Sequence, residues 1–188
     1  YVGKASDYRG ALIAQGTQAQ PITFASNLTS PSPGAWNSIY FRPQTNSTLT
    51  ELTYCNFAYG GNSSLYNTTL YFESSSPTVT NSIISNSAGY GVYSDNYSGL
   101  TLTANTYSNN VLYPISTNPN GVFNITQSTG SGNNPNAIEV RGGEVTSDIT
   151  WQRQDLPYEV SSNLTICDYN QTQTATLDIN PGTQVRFR

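Results

Sequence analysis

The sequence predicts an all-β protein with little or no α-helix, folded as a right-handed parallel β-helix, a form of β-solenoid. Three observations lead to this fold class. No stretch of a dozen residues combines the 3.6-residue apolar periodicity and the capping residues of a helix. Short alternating runs rich in β-branched and aromatic residues recur instead, separated by clusters of Gly, Pro, Asn and Ser. The third observation is an internal repeat, which favours a solenoid over a sandwich of hairpins.

The repeat emerges when the segments that begin at Leu52, Val79 and Leu102 are aligned, at offsets of 27 and 23 residues. The same register forms three further rows: Cys55, Ser82 and Asn105; Phe57, Ile84 and Tyr107; Tyr59, Asn86 and Asn109. Similar but unequal offsets are typical of a solenoid, because each turn buries the same positions while the corners absorb insertions. In a parallel β-helix such rows stack about 4.8 Å apart, with aliphatic columns inside and Asn or Ser ladders at the bends.

Length and composition narrow the function classes. A chain of 188 residues fits a single domain, here residues 1–188. Its net charge of -4, with seven scattered basic residues, offers no basic patch for nucleic acid. No apolar run approaches the roughly 20 residues that span a bilayer. Because the chain has no His, Ser-His-Asp and Cys-His catalytic sites are excluded, and conventional zinc ligation is not expected.

Several features predict an extracellular or cell-surface glycoprotein. Lys is scarce, Ser, Thr, Asn and Tyr are abundant, and there are two Cys. The composition favours an archaeal source, and a chain that starts at Tyr1 and lacks Met is expected to be processed or cropped from a longer one. Eight Asn-x-Ser/Thr sequons are candidate N-glycosylation sites: Asn27, Asn46, Asn62, Asn67, Asn96, Asn124, Asn163 and Asn170.

A family resemblance is carried by "GALIAQGTQAQPITFASN" (Gly10 to Asn27), by "WNSIYF" (Trp36 to Phe41) and by the later "SPTVTNSIISNSAGYGV". In this order they resemble rungs of extracellular right-handed parallel β-helix repeat proteins of the pectate-lyase-like superfamily. Ser38 stands where that family usually has Gly. The resemblance covers about residues 10–115 and implies the same fold. Polysaccharide-cleaving members use clustered Asp residues, or Asp-bound calcium with a basic residue, for proton transfer.

The C-terminal segment raises the question of assembly. "LPYEVSSNLTIC" and "ATLDINPGTQVRF", within residues 156–187, resemble a rung that in this family precedes the rung found here near Gly10. The inverted order predicts either a tandem array or subunits stacked head to tail, with residues 144–188 completing or contacting the next copy. The alternative is that residues 156–188 are simply the last rung of a monomer. Seven to nine rungs would give a rise of roughly 35 to 45 Å. The predicted subunit interface comprises Ala11, Leu12, Ile13, Leu177, Ile179, Val185 and Phe187.

Catalytic chemistry finds little support in the sequence. No two carboxylates are close in sequence or share a row, and Glu139 with Arg141 is expected to be a solvated pair. We therefore predict no enzyme activity and no cofactor, with calcium on scattered carboxylates as a further hypothesis. Six tyrosines have two interpretations. They form a sugar-binding or subunit-facing platform, or they belong to the interior and bend packing: Tyr54, Tyr59, Tyr90, Tyr93, Tyr97 and Tyr107.

Cys55 and Cys167 leave three alternatives open: one disulfide, bonds to other chains, or buried free thiols. Four or five rungs would separate them by roughly 20 Å, beyond the reach of a disulfide unless the C-terminal segment folds back.

The first hypothesis for function is a structural subunit of a glycosylated filament, sheath or surface layer, whose partner is a copy of itself. The second is a carbohydrate-binding adhesin module, and the third a polysaccharide lyase or hydrolase. Neither nucleic acid nor a membrane span is expected.

Overall fold

The chain folds as a parallel β-solenoid of about six turns. A computed structural model describes residues 1–4, 8–62, 66–96, 98–167 and 174–188. All sheets are parallel and only 3% of the chain is helical, which confirms the predicted fold class. Each full turn passes through three sheets, numbered 1 to 3 in the order in which the chain meets them. Among the described residues, no helix has the length and apolar character needed to cross a membrane.

Sheet 1 carries the first predicted row of the interior. Leu52, Val79 and Leu102 are in register and fully buried, as the alignment predicted. Thr53 and Thr80 lie on its outer side and join neighbouring strands through a 3.0 Å contact between their hydroxyls. Its strands are β1 (Ile13–Gln15), β4 (Glu51–Thr53), β7 (Thr78–Thr80), β10 (Thr101–Thr103) and β13 (Ile125–Thr126).

Sheet 2 carries the predicted row of Phe57, Ile84 and Tyr107, which are also in register and fully buried. Phe24 extends this row to the first turn and stacks on Phe57 with a ring-centroid distance of 4.8 Å. Its strands are β2 (Ile22–Phe24), β5 (Cys55–Ala58), β8 (Ile83–Ser85), β11 (Thr106–Ser108) and β14 (Thr129–Ser131).

Sheet 3 is the longest, with seven strands. Leu70, Val92 and Ile115 form part of its inward row and are fully buried. The strands are β3 (Ile39–Phe41), β6 (Thr68–Phe72), β9 (Tyr90–Ser94), β12 (Ile115–Thr117), β15 (Ile138–Val140), β18 (Tyr158–Val160) and β21 (Val185–Phe187). Together the three sheets enclose one continuous apolar core.

The last two turns are built differently. A 3-10 helix, Pro119–Asn124, precedes β13 and contacts the strands of the later turns. The two later turns contribute two short parallel pairs: β16 (Gly143–Val145) with β19 (Leu164–Ile166), and β17 (Ile149–Trp151) with β20 (Leu177–Ile179).

The bend between sheets 1 and 2 is made by a column of residues with left-handed backbone. Tyr54, Asn81, Ala104 and Gln127 have φ between 50° and 56°. A residue in this conformation bends the chain sharply, so the sheet 1 strand and the sheet 2 strand of each of these turns are separated by only one or two residues. The predicted row of Tyr59, Asn86 and Asn109 forms the corresponding column at the bend between sheets 2 and 3, with φ between 54° and 66°.

Candidate functional site

The C-terminal end of the solenoid exposes apolar side chains that point inward. Within the described chain, β19, β20 and β21 are the last strands of their sheets. Ile179 stacks on Trp151, and Phe187 stacks on Val160, so both belong to interior columns. The exposed fraction is nevertheless 47% for Ile179 and 74% for Phe187. We name as the C-terminal end face Leu164, Ile166, Leu177, Ile179, Val185 and Phe187.

The N-terminal end carries the matching ends of the interior columns. Leu12 and Ile22 pack against the core but are only partly buried. Phe41 is fully buried, because Val2 pairs with it at the edge of sheet 3 and donates its N–H to the Tyr40 carbonyl at 2.8 Å. We name as the N-terminal end face Leu12, Ala14, Ile22, Phe24 and Ile39.

Six of the seven residues of the predicted interface lie at these two ends, and Ile13 is placed on the outside. Leu12, Leu177, Ile179, Val185 and Phe187 belong to the end faces. Ala11 is exposed just before β1. Ile13 pairs with Glu51 on the outer side of sheet 1, beside the inward Ala14, and is 60% exposed.

The two end faces are in phase, in the sense that both contain strands of the same inward column, that of sheet 1. Asn105 follows Leu102 by three residues and caps the N–H of Ser82. Gln154 follows Trp151 by the same three residues and caps the N–H of Ser128 at 3.1 Å. Because the two relationships match, β17 and β20 continue the inward column of sheet 1, the column in which β1 is the first strand.

The outer side of sheet 3 carries a second group of functional candidates, which we name the outer strip. Its in-register row consists of Tyr40, Tyr71, Tyr93, Ser116, Glu139, Glu159 and Arg186. The row is aromatic in the early turns and charged in the later ones.

In the aromatic half of the outer strip the rings cover one another. Tyr66 stacks on Tyr93 with a centroid distance of 4.0 Å, and Tyr40 lies 4.6 Å from Tyr71. Tyr71 and Tyr93 are therefore buried although they point away from the core. Burial, with the nearby Glu73 carboxylate, raises the pKa of Tyr71 to about 12. The ring surface that remains open for a ligand is mainly that of the half-exposed Tyr66 and of Tyr1, which packs on Tyr40 at a centroid distance of 5.3 Å.

In the charged half, Glu139 and Glu159 lie side by side on neighbouring strands. Ser116 donates a 2.6 Å hydrogen bond to Glu139 and itself accepts one from Arg141 at 2.8 Å. Tyr113 donates a hydrogen bond to Glu159 at 2.5 Å. The pKa of the Tyr113 phenol is raised, mainly by burial and secondly by this hydrogen bond.

These contacts correct two predictions. Two carboxylates do share a row, because β15 and β18 are only 20 positions apart in register, a shorter offset than the alignment used. Glu139 and Arg141 are not a solvated pair: Glu139 is 8% exposed, and the two side chains meet through the Ser116 hydroxyl. Both carboxylates thus already hold donors from this chain.

The tyrosines singled out from the sequence separate into three places. Tyr107 is fully buried in the interior, and Tyr54 and Tyr59 occupy the two bends. Tyr90 and Tyr93 belong to the outer side of sheet 3. Tyr97 lies outside the described residues.

The sequons differ in accessibility. The Asn residues at 27, 62, 67, 96 and 163 are exposed, whereas those at 46 and 124 are half-buried, and Asn170 lies outside the described residues. Asn46 also accepts a hydrogen bond from the N–H of Leu49 through its side chain. Five predicted glycosylation sites therefore have an accessible asparagine.

Both cysteines are free thiols. Cys55 is fully buried in sheet 2 and its thiol donates to the Ala14 carbonyl at 3.3 Å. Burial raises the pKa of this thiol. Cys167 follows β19 at the opposite end of the solenoid and is half-buried. The free-thiol alternative therefore describes this structure, with only Cys55 fully buried.

The described residues contain no group of three or more carboxylates and thiols arranged to hold a metal ion, so the calcium hypothesis gains no ligand set here. No family model, curated protein or solved structure matches this chain. The fold therefore stands on the structure itself, and the relationship to the pectate-lyase-like superfamily stays a prediction.

Proposed function

We propose that this protein is the structural subunit of a glycosylated extracellular assembly, a filament, sheath or surface layer, in which copies stack head to tail. The observation that carries the proposal is the pair of end faces. Each ends the interior columns with apolar side chains that, apart from Ala14, are incompletely buried. Among the described residues the outer edges of β1, β2, β20 and β21 have no partner strand, whereas Val2 holds the outer edge of β3. Burying apolar surface and pairing free edges both favour association with a further rung.

The phase of the two ends supports this stacking. The chain winds from sheet 3 to sheet 1, and β21 is a sheet 3 strand while β1 is a sheet 1 strand. A second copy placed on the C-terminal end face continues the winding, with Leu12 over Leu177 and Ala14 over Ile179. For β21 to pair with β3 of that copy, Val2 of the copy must leave the edge of β3 that it holds in the single subunit. Because the two faces differ, the contact does not close between two copies and propagates as a polymer.

The lateral surface supports a structural role. Residues of the outer strip already hydrogen-bond to neighbouring side chains of this chain: Ser116 to Arg141, and Glu159 to Tyr113. Accessible sequon asparagines and a hydroxyl-rich outer surface suit a chain that stays hydrated outside the cell. The partner is a further copy of this chain, and no cofactor is required.

Electron microscopy and sedimentation of the purified chain test the proposal. We expect polymers with a rise of about 34 Å per copy, from seven sheet 3 strands at about 4.8 Å. Phe187→Asp should abolish them by placing a carboxylate in the C-terminal end face. Phe123→Asp is the matched control, since Phe123 is 47% exposed on the 3-10 helix and belongs to neither end face.

A mixing experiment separates assembly from misfolding. Leu12→Asp blocks the opposite face, so each blocked variant retains one intact face. A mixture of the Phe187→Asp and Leu12→Asp variants should therefore form dimers and nothing longer. Dispersed wild-type protein, or polymers that survive Phe187→Asp, would contradict the proposal.

The pairing of Glu139 with Glu159 favours a second candidate function, cleavage of a polysaccharide by two neighbouring carboxylates. Release of reducing or unsaturated sugar ends by the wild type, lost in both Glu139→Gln and Glu159→Gln, would establish it. No release from neutral or acidic polysaccharides would exclude it.

A further inference from the structure

A groove runs along the outside of the bend between sheets 1 and 2, from the first turn to the fourth, and shares no residue with the end faces or the outer strip. It has a volume of about 520 Å³. The left-handed residues Tyr54, Asn81 and Ala104 line it in successive turns. Its size falls in the usual range of small-molecule sites.

The side-chain amides that line the groove have no hydrogen-bond partner within the described chain. Gln18, Asn56 and Asn81 contribute side-chain amides from three different turns. Within the described chain, none of these amides hydrogen-bonds to another group. This contrasts with Asn105 just beneath, whose amide is used at both ends. Three unpaired amides facing one groove supply donors and acceptors that only a ligand or water can satisfy.

The rest of the lining is uncharged and mostly apolar, and its two aliphatic hydroxyls, of Ser82 and Thr106, already hydrogen-bond within the chain. Tyr54 and Pro21 line the groove, and Ile83 stands 43% exposed on an outer face. No charged side chain of the described residues lines it. A ligand that fits both the unpaired amides and the apolar surface of the groove has apolar faces and several hydroxyl groups, and it carries no charge.

We propose that this groove binds a neutral saccharide. The ring of Tyr54 packs against the C–H face of a sugar, and the amides of Gln18, Asn56 and Asn81 hydrogen-bond its hydroxyls. Anionic polymers, whether uronates or nucleic acids, are disfavoured because the lining has no cation to pair with them. This site shares no residue with the end faces.

Calorimetry and saturation-transfer NMR with the whole chain test the site. The probes are neutral mannose, glucose and xylose pentasaccharides, with a galacturonate pentasaccharide as the charged comparison. We expect saturable binding of at least one neutral probe and weaker binding of the galacturonate. Tyr54→Ala and Asn56→Ala should each weaken binding about tenfold or more through loss of a ring contact or a hydrogen bond.

Tyr59→Ala provides a matched control. Tyr59 is also a left-handed tyrosine, at φ 66°, but lies at the other bend and does not line the groove. Ala104 holds φ 56° in the same column as Tyr54, so alanine is compatible with that backbone. Failure of every neutral probe to bind, or equal losses in Tyr54→Ala and Tyr59→Ala, would overturn the assignment.

The saccharide has two sources, an external polysaccharide or the N-glycans of another copy. Native protein is compared before and after enzymatic removal of its N-glycans. A neutral probe that binds only after removal identifies the chain's own glycans as the occupant. Equal binding in both samples identifies an external sugar.

Discussion

The side chain of Asn105 hydrogen-bonds two backbone groups of the preceding turn at once. Its Oδ1 accepts from the N–H of Ser82 at 2.9 Å, and its Nδ2 donates to the carbonyl of Val79 at 2.8 Å. Asn105 is fully buried, so no water replaces either bond. This residue therefore fixes the distance and register between two turns at the bend from sheet 1 to sheet 2.

Asn105→Ala should lower the free energy of unfolding by about 2 to 4 kcal/mol, because it leaves a buried N–H and a buried C=O without partners. Asn105→Ser should cost less, since Ser82 in the same column shows that a hydroxyl can cap the N–H of the turn before it. Guanidinium-induced unfolding measures both. Equal losses for the two variants would contradict the role assigned to the amide.

Gly89→Ala should prevent folding or destabilise the chain by more than about 2 kcal/mol. A Cβ at this position would lie 1.9 Å from the Asn67 carbonyl oxygen, a backbone atom that cannot move without opening sheet 3. Gly99→Ala is the control, since the first atom its Cβ meets is the Ser76 hydroxyl at 3.2 Å. Circular dichroism and thermal unfolding should show a near-native Gly99→Ala variant beside a disrupted Gly89→Ala variant.

The two thiols should react at very different rates with a maleimide or disulfide reagent. Cys55 is fully buried and burial raises its pKa, so little thiolate forms at pH 8 and the reagent cannot reach it. Cys167 is half-buried and should be modified first. Mass spectrometry of peptides locates the label, and both cysteines should react in guanidinium. Rapid labelling of Cys55 in the native chain would refute its placement.

Stability should fall at alkaline pH. Seven of the described tyrosines have a folded-state pKa above the ordinary value of 10.0, chiefly because of burial, among them Tyr71 at about 12. The folded state then holds protons that the unfolded state releases, so the free energy of unfolding is unaffected below about pH 9 and decreases above about pH 10. Absorbance at 295 nm during alkaline titration should show these phenols ionising together with unfolding. Their ionisation near pH 10 with the fold intact would contradict the prediction.

Local patterns in the sequence were sufficient to predict the solenoid and the interior rows of sheets 1 and 2 in three of its turns. The row of Leu52, Val79 and Leu102 could be aligned because each turn there has a similar length and returns the same apolar position to the core. The left-handed column of Tyr59, Asn86 and Asn109 was likewise visible as a row before its backbone was known.

The candidate sites could not be predicted in the same way, because the residues that meet there come from turns of different length. Glu139 and Glu159 became neighbours because the sixth turn has no sheet 2 strand and is therefore shorter. Ile13 was expected at the interface, but pairing with Glu51 turns it outward and turns Ala14 inward. A shift of one residue reverses the side of a strand, and three-residue strands are too short to reveal that choice by alternation alone.

The sequence by itself therefore determined the architecture: parallel turns, interior columns and polar ladders, all set by residues that recur at nearly constant spacing. Only the tertiary structure decided which outer side chains meet, as Gln18, Asn56 and Asn81 do at one groove from three turns. The physical reason is that core positions must repeat in order to be buried, whereas surface positions meet through the accumulated length of loops that no local pattern constrains.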